Sequence, residues 1–207
     1  GDGVNSNDAG EYWHLLYERM HMPVTMLPAD VLNRTNLSEY NTLVFPSGTY
    51  SIINDASKER LKTWVQNGGV IIGFDAALNW LTTTGLRKFE MKKDEAADKK
   101  ETPAPRAYAD IEEYRGAQQS PGAIFEATVD LTHPLLYGYY QNKMPLYKEG
   151  NLFLDKSKNP YGNPIVFGSS PLLTGYISKP NYDKVKNTSS VGVTPMGRGR
   201  VIGFTEN

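Results

Sequence analysis

The chain of 207 residues contains no cysteine. That absence removes disulfides, thiolate metal ligands and every mechanism that needs a cysteine nucleophile. Histidine is scarce too: His14, His21 and His133 are the three, and none opens a His-x-x-Glu or His-Glu-x-x-His spacing. No all-protein zinc site is therefore expected, and no metal or other cofactor is assigned to this chain. Neither sign of charge is in excess, with 22 basic and 23 acidic residues giving a formal net charge of -1. Such a balance offers no field to gather nucleic acid or an anionic membrane. A run of about 18 apolar residues is also missing, so no segment is expected to span a bilayer. The polar start Gly1-Asp2-Gly3 is not expected to act as a signal peptide.

What is present is the composition of an ordinary globular protein, 39% hydrophobic and 11% aromatic, which suits one well-cored domain over 1–207. Tyr12, Trp13, Leu15, Leu16 and Met20 recur at helical spacing behind a Ser6/Asn7 cap, predicting a helix over about 7–20. Short apolar runs predict strands over 24–27 and 42–45, the latter ended by Pro46-Ser47-Gly48. A helix with Leu61, Trp64 and Val65 on one face follows, capped by Ser57 or Asp55 and stopped by Asn67-Gly68-Gly69. The strand over 70–74 comes next. Strand, helix, strand at this spacing predicts an α/β fold, a three-layer doubly wound sheet that is mostly parallel, with helices on both faces.

From 86 to 119 the character changes to a charged insertion or mobile loop, dense in Lys, Glu and Asp and followed by Pro103 and Pro105. The second half reads as β-rich, with strands over 123–129, 151–154, 164–167, 191–194 and 200–204. Gly197-Arg198-Gly199-Arg200 lacks the helix and Lys-Ser/Thr pair of a phosphate loop and reads as a hairpin turn. The last strand runs straight into the terminus, and the chain is expected to be a fragment of a longer polypeptide.

Chemistry centres on Gly73-Phe74-Asp75-Ala76-Ala77, a sharp strand-to-helix turn of the kind that presents a nucleophile. Asp75 has two readings there. It is a weak candidate for a carboxylate nucleophile, with His133 activating water afterwards; more simply, it is an N-cap accepting backbone N–H groups of the helix that starts at Ala76. His133, held extended before Pro134, either points into a cleft or satisfies its own loop. Glu206, just past the last strand, completes a candidate cluster at the carboxyl ends of the strands. Ser47 and Gly48 are weak candidates for binding a ligand, as N–H donors to an oxyanion. The 13 tyrosines, among them Tyr137, Tyr139, Tyr140, Tyr161 and Tyr182, could supply a surface that touches sugar or peptide.

Several motifs carry a resemblance. Gly1 to Ser6, Ala9-Gly10-Glu11-Tyr12-Trp13, Leu43 to Gly48 and Gly68 to Gly73 resemble a class I glutamine amidotransferase-like domain. Pro121-Gly122-Ala123-Ile124-Phe125, Thr132 to Tyr139 and Gly197 to Phe204 resemble the domain that follows the catalytic domain in secreted zinc carboxypeptidases of Bacteroidetes type. The resemblance implies a flavodoxin-like fold and a parent that removes C-terminal residues from peptides, its zinc held by an upstream peptidase domain of the same polypeptide. It also implies a secreted or periplasmic location and leaves room for an oligomer. The amidotransferase pattern wants a cysteine at the elbow and a His-x-Glu pair after a late strand; here Asp75 and Thr205-Glu206-Asn207 stand in those places. The expected function is thus a catalytically silent accessory domain serving interdomain packing, oligomerisation or substrate presentation. Its alternatives are a hydrolase using Asp75 and His133, and a carbohydrate- or peptide-binding module.

Overall fold

The computed structural model describes residues 3–92, 105–117 and 120–206. These form two compact units: one from the described residues of Gly1–Phe89 with Val191–Thr205, the other from those of Glu90–Ser190 with Glu206.

In the first unit the apolar runs become strands β1 (Thr42–Phe45) and β2 (Val70–Phe74), joined by helix α2 (Asp55–Gln66). Helix α3 (Ala77–Thr83) leaves β2, and the unit is completed by β6 (Val191–Met196) and β7 (Gly199–Phe204). The sheet order is β1-β2-β7-β6, with β1, β2 and β7 parallel and β6 antiparallel at the edge. The expected hairpin is present: Met196 faces Gly199, and Gly197 takes a φ of 62° that a two-residue turn requires.

Alternation along the strands explains how both faces are covered. A Cβ on Gly73 would lie 2.6 Å from Leu81 of α3, and one on Gly203 would lie 3.0 Å from Leu78, so these glycines let α3 seat closely on one face. Phe74 and Phe204 point to the other face, stacked with centroids 5.1 Å apart, and Tyr12 lies over Phe74 at 4.5 Å. The mostly parallel α/β sheet expected from the sequence is therefore found, with helices on each side.

Several local expectations are corrected. The first helix is α1 (Ser6–Trp13), which widens into a π-helical turn over His14–Arg19, and Asn5 rather than Ser6 or Asn7 caps it. No strand forms over 24–27, because no neighbouring strand pairs with the run. Helix α2 is capped by Asn54, whose side chain accepts from the Ser57 N–H 2.9 Å away.

The second unit holds β3 (Ala123–Val129), β4 (Lys143–Lys148) and β5 (Ile165–Gly175) in an antiparallel sheet of order β4-β3-β5. Its core pairs Phe125 with Phe167 edge to face at 5.9 Å. Strand β4 is not among the strands expected from the sequence; it carries Pro145, which its edge position tolerates because a residue there can lack an N–H. The run over 151–154 contributes only Leu154, in isolated bridges to Met91 and Ser189. Helices α4 (Ile111–Ala117) and α5 (Lys179–Val185) also belong to this unit. Of the charged segment 86–119, residues 93–104 and 118–119 lie outside the described residues, while Leu86 and Phe89 are buried.

Candidate functional site

Asp75, Ser47 and Gly48 belong to the first unit, His133 and Glu206 to the second. The elbow between β2 and α3 is built by backbone constraints. The Asp75 N–H donates to the Phe204 carbonyl at 2.9 Å, continuing the parallel ladder one residue past β2. Its own carbonyl accepts from the Leu78 N–H at 2.9 Å, so the chain must reverse within one residue. Asp75 does so with a φ of 44°, a left-handed conformation that Asp tolerates better than most side chains. Gly73 and the buried Ala77 sit two residues to either side, and their small size lets helix and strand approach.

The helix-capping role anticipated for Asp75 is not found. Helix α3 starts at Ala77, its N-cap is Ala76, and no side chain caps it. The Asp75 carboxylate instead accepts a hydrogen bond of 2.8 Å from Ser47 Oγ. Ser47 is placed for this by the turn after β1. Its carbonyl accepts from the Asn5 N–H at 2.8 Å, and the Thr49 N–H donates to the Gly3 carbonyl at 2.7 Å, which stitches the turn to the start of the chain. Gly48 has no room for a side chain, as a Cβ would lie 2.6 Å from the Gly3 carbonyl oxygen. The Gly48 N–H meets no acceptor among the described residues.

Two phenols share this environment. Burial pushes the Tyr12 hydroxyl above its usual range, and Asp8, Glu11 and Asp75 push it further. Tyr50 is raised by burial, then by Asp8 and Tyr12. Its hydroxyl donates to the Pro46 carbonyl at 2.7 Å, and its ring packs with Phe45 and Trp80 at 5.1 and 5.2 Å. Asp8, Tyr12 and Tyr50 were not singled out from the sequence. Tyr12 read as part of an apolar stripe, and nothing local links Asp8 to a turn some forty residues later.

In the second unit, His133 has the extended backbone expected before Pro134, with φ -76° and ψ 135°. Its Nδ1 accepts from the Leu135 N–H at 3.2 Å, capping a short helical turn over Pro134–Leu136. In the neutral ring the proton therefore sits on Nε2. Glu206 accepts from Lys148 Nζ at 3.1 Å and from the Ser190 hydroxyl. That ion pair is enclosed, with side-chain exposures of 2% for Lys148 and 9% for Glu206. Tyr137, Tyr140 and Tyr161 are exposed, whereas Tyr139 and Tyr182 are partly buried. Among the described residues no group of three His, Asp or Glu side chains could hold a metal ion.

Among the described residues this arrangement offers a carboxylate with one hydroxyl partner, on an elbow at positive φ. It can accept hydrogen bonds or a cation, and it cannot form a thioester.

No family model and no curated protein matches the sequence. Solved structures do match in shape. A ThuA-like protein from Parabacteroides merdae superposes with a TM-score of 0.57 at 12% identity, over 98% of this chain and 76% of that one. A ThuA-like protein from Bacteroides uniformis gives 0.54 at 12% identity, over 97% of this chain and 74% of that one. The fold is thus of the class I glutamine amidotransferase-like, flavodoxin-like kind.

Proposed function

We propose that this chain is a non-catalytic amidotransferase-like accessory domain. The observation that carries the reading is the elbow: Asp75 occupies the left-handed position where a thiolate would be mounted, and Ser47 Oγ ties its carboxylate down at 2.8 Å. A carboxylate held there cannot replace a cysteine in glutamine hydrolysis, because the thioester route needs a soft, low-pKa sulfur nucleophile. The domain then serves packing, oligomerisation or substrate presentation in a larger assembly. Its placement beside an upstream zinc peptidase domain, in a secreted or periplasmic carboxypeptidase-like polypeptide, rests on the sequence resemblance alone.

The test is an assay of the purified 207-residue chain for glutaminase and carboxypeptidase turnover, with zinc content measured in parallel. No turnover above background and zinc well below stoichiometric are expected. Glutamine hydrolysis lost in Asp75→Asn, or one tightly held zinc per chain, would overturn the reading.

A second reading is favoured by one observation. The Asp75 carboxylate is not consumed by helix N–H groups, which leaves it available as the nucleophile of a hydrolase with an ester intermediate. A panel of activated esters tests it: turnover that survives Asp75→Asn excludes this route.

A further inference from the structure

The exposed apolar surface of the first helix is the feature that the elbow does not use. No residue from 9 to 27 is buried, although the stretch carries Trp13, Leu15, Tyr17, Met20, Met22 and Met26. Their exposures run from 37% for Trp13 to 60% for Met26. Concentrating aromatic and methionine side chains in one exposed segment is the composition of an interface core rather than of ordinary surface.

We infer that this face docks a second copy of the same chain, with the two Ser6–Arg19 segments antiparallel about a two-fold axis at Leu15. The argument is self-complementarity, which a two-fold contact demands. Tyr12 turns toward the sheet, as its ring on Phe74 shows, and Leu16 is half-buried, whereas Gly10, His14 and Glu18 are exposed. On one flank Trp13 and Tyr17 stack with centroids 5.5 Å apart and ring planes within 14°, forming a flat aromatic pair. On the other flank stand Glu11, Leu15 and Arg19, all exposed. An antiparallel mate centred on Leu15 sets Trp13 against Tyr17 of the second copy, Glu11 against Arg19 and Leu15 against Leu15. His14 then falls beside Glu18 of the second copy. Glu11 of each copy then meets Arg19 of the other, and both aromatic pairs meet each other. Gly10, with nothing within 4 Å of where a Cβ would sit, allows close approach.

A bilayer fits the same face poorly, because Glu11 and Glu18 outnumber Arg19 and no lysine lies between 6 and 22. This inference is independent of the elbow, and its failure leaves the accessory-domain reading where it stands.

Sedimentation equilibrium on the full chain tests it. A monomer–dimer equilibrium is expected, and Trp13→Asp with Tyr17→Asp should weaken it by at least about 30-fold, as removal of an aromatic anchor does. Because that double variant could disturb the fold, charge exchange supplies the second arm. Glu11→Arg and Arg19→Glu should each weaken dimerisation by about fivefold, and together they should restore it. A monomer at every concentration, binding to neutral vesicles by a chain that stays monomeric, or a charge exchange that fails to restore the dimer would each overturn the proposal.

Discussion

Asp75 and Glu206 follow neighbouring parallel strands in sequence logic, yet the two carboxylates live in opposite surroundings. Asp75 is partly exposed, with one hydroxyl partner and a backbone forced to positive φ. Glu206 is enclosed, with a buried ammonium and a serine hydroxyl on its two oxygens. A carboxylate committed to a buried cation is a structural element, because separating the pair leaves an unsolvated charge. One held only by a serine keeps lone pairs available for a ligand. The difference lies in what surrounds each group, since the side chains carry the same chemistry.

Breaking the enclosed pair should have the largest effect. Lys148→Met leaves Glu206 buried without its counter-charge and should cost about 3–5 kcal/mol in urea unfolding of the full chain. The double variant with Glu206→Leu should recover most of that loss; equal destabilisation in both would mean that packing, and not charge, dominates.

Next comes the elbow's steric demand. Gly73→Ala would drive a Cβ to within 2.6 Å of Leu81, and overpacking of this kind costs about 1–3 kcal/mol. The backbone of Asp75 sharpens the same point. Asp75→Val should destabilise by about 2 kcal/mol or more, because a β-branched residue resists the left-handed region, whereas Asp75→Gly should stay within about 1 kcal/mol of the parent. Similar losses for both would show that the Ser47 hydrogen bond, and not the backbone, governs the turn.

The phenols predict a pH dependence. Tyr12 and Tyr50 have folded-state pKa values above that of an unfolded tyrosine, about 10. Their contribution is complete below that pH, and stability falls as pH rises beyond about 10, where the unfolded chain loses protons first. Tyr50→Phe should cost about 1 kcal/mol at neutral pH through its lost bond to Pro46, and should flatten the alkaline slope. The smallest effect is expected for Asp75→Asn, which keeps the left-handed tolerance and a hydrogen-bond acceptor; unfolding should shift by less than about 1 kcal/mol.

Much of the first unit was legible in advance, because continuous apolar runs bounded by Pro-Ser-Gly and Asn-Gly-Gly mark buried strands and a helix stop whatever surrounds them. The elbow at Asp75 was legible for the same reason: a small residue on either side of a sharp turn is a local requirement. What Asp75 would bond to was not legible. Capping is the local default, and it lost to Ser47, 28 residues earlier in the chain. Strand β4 was hidden because Pro145 forbids a central strand, and edge position is a property of the sheet. The 24–27 run had strand composition, but no neighbour pairs with it.

The chain by itself determined its α/β class, its parallel register elements, the absence of thiol chemistry and the location of the turn that matters, since each depends on residue type and short-range spacing. Only the tertiary structure decided which carboxylate is buried against Lys148, which one faces Ser47, and that Trp13, Leu15 and Tyr17 of the first helix are exposed. Those outcomes depend on contacts between residues far apart in sequence, and burial, which sets the strength of every charge and hydrogen bond, exists only after the chain has folded.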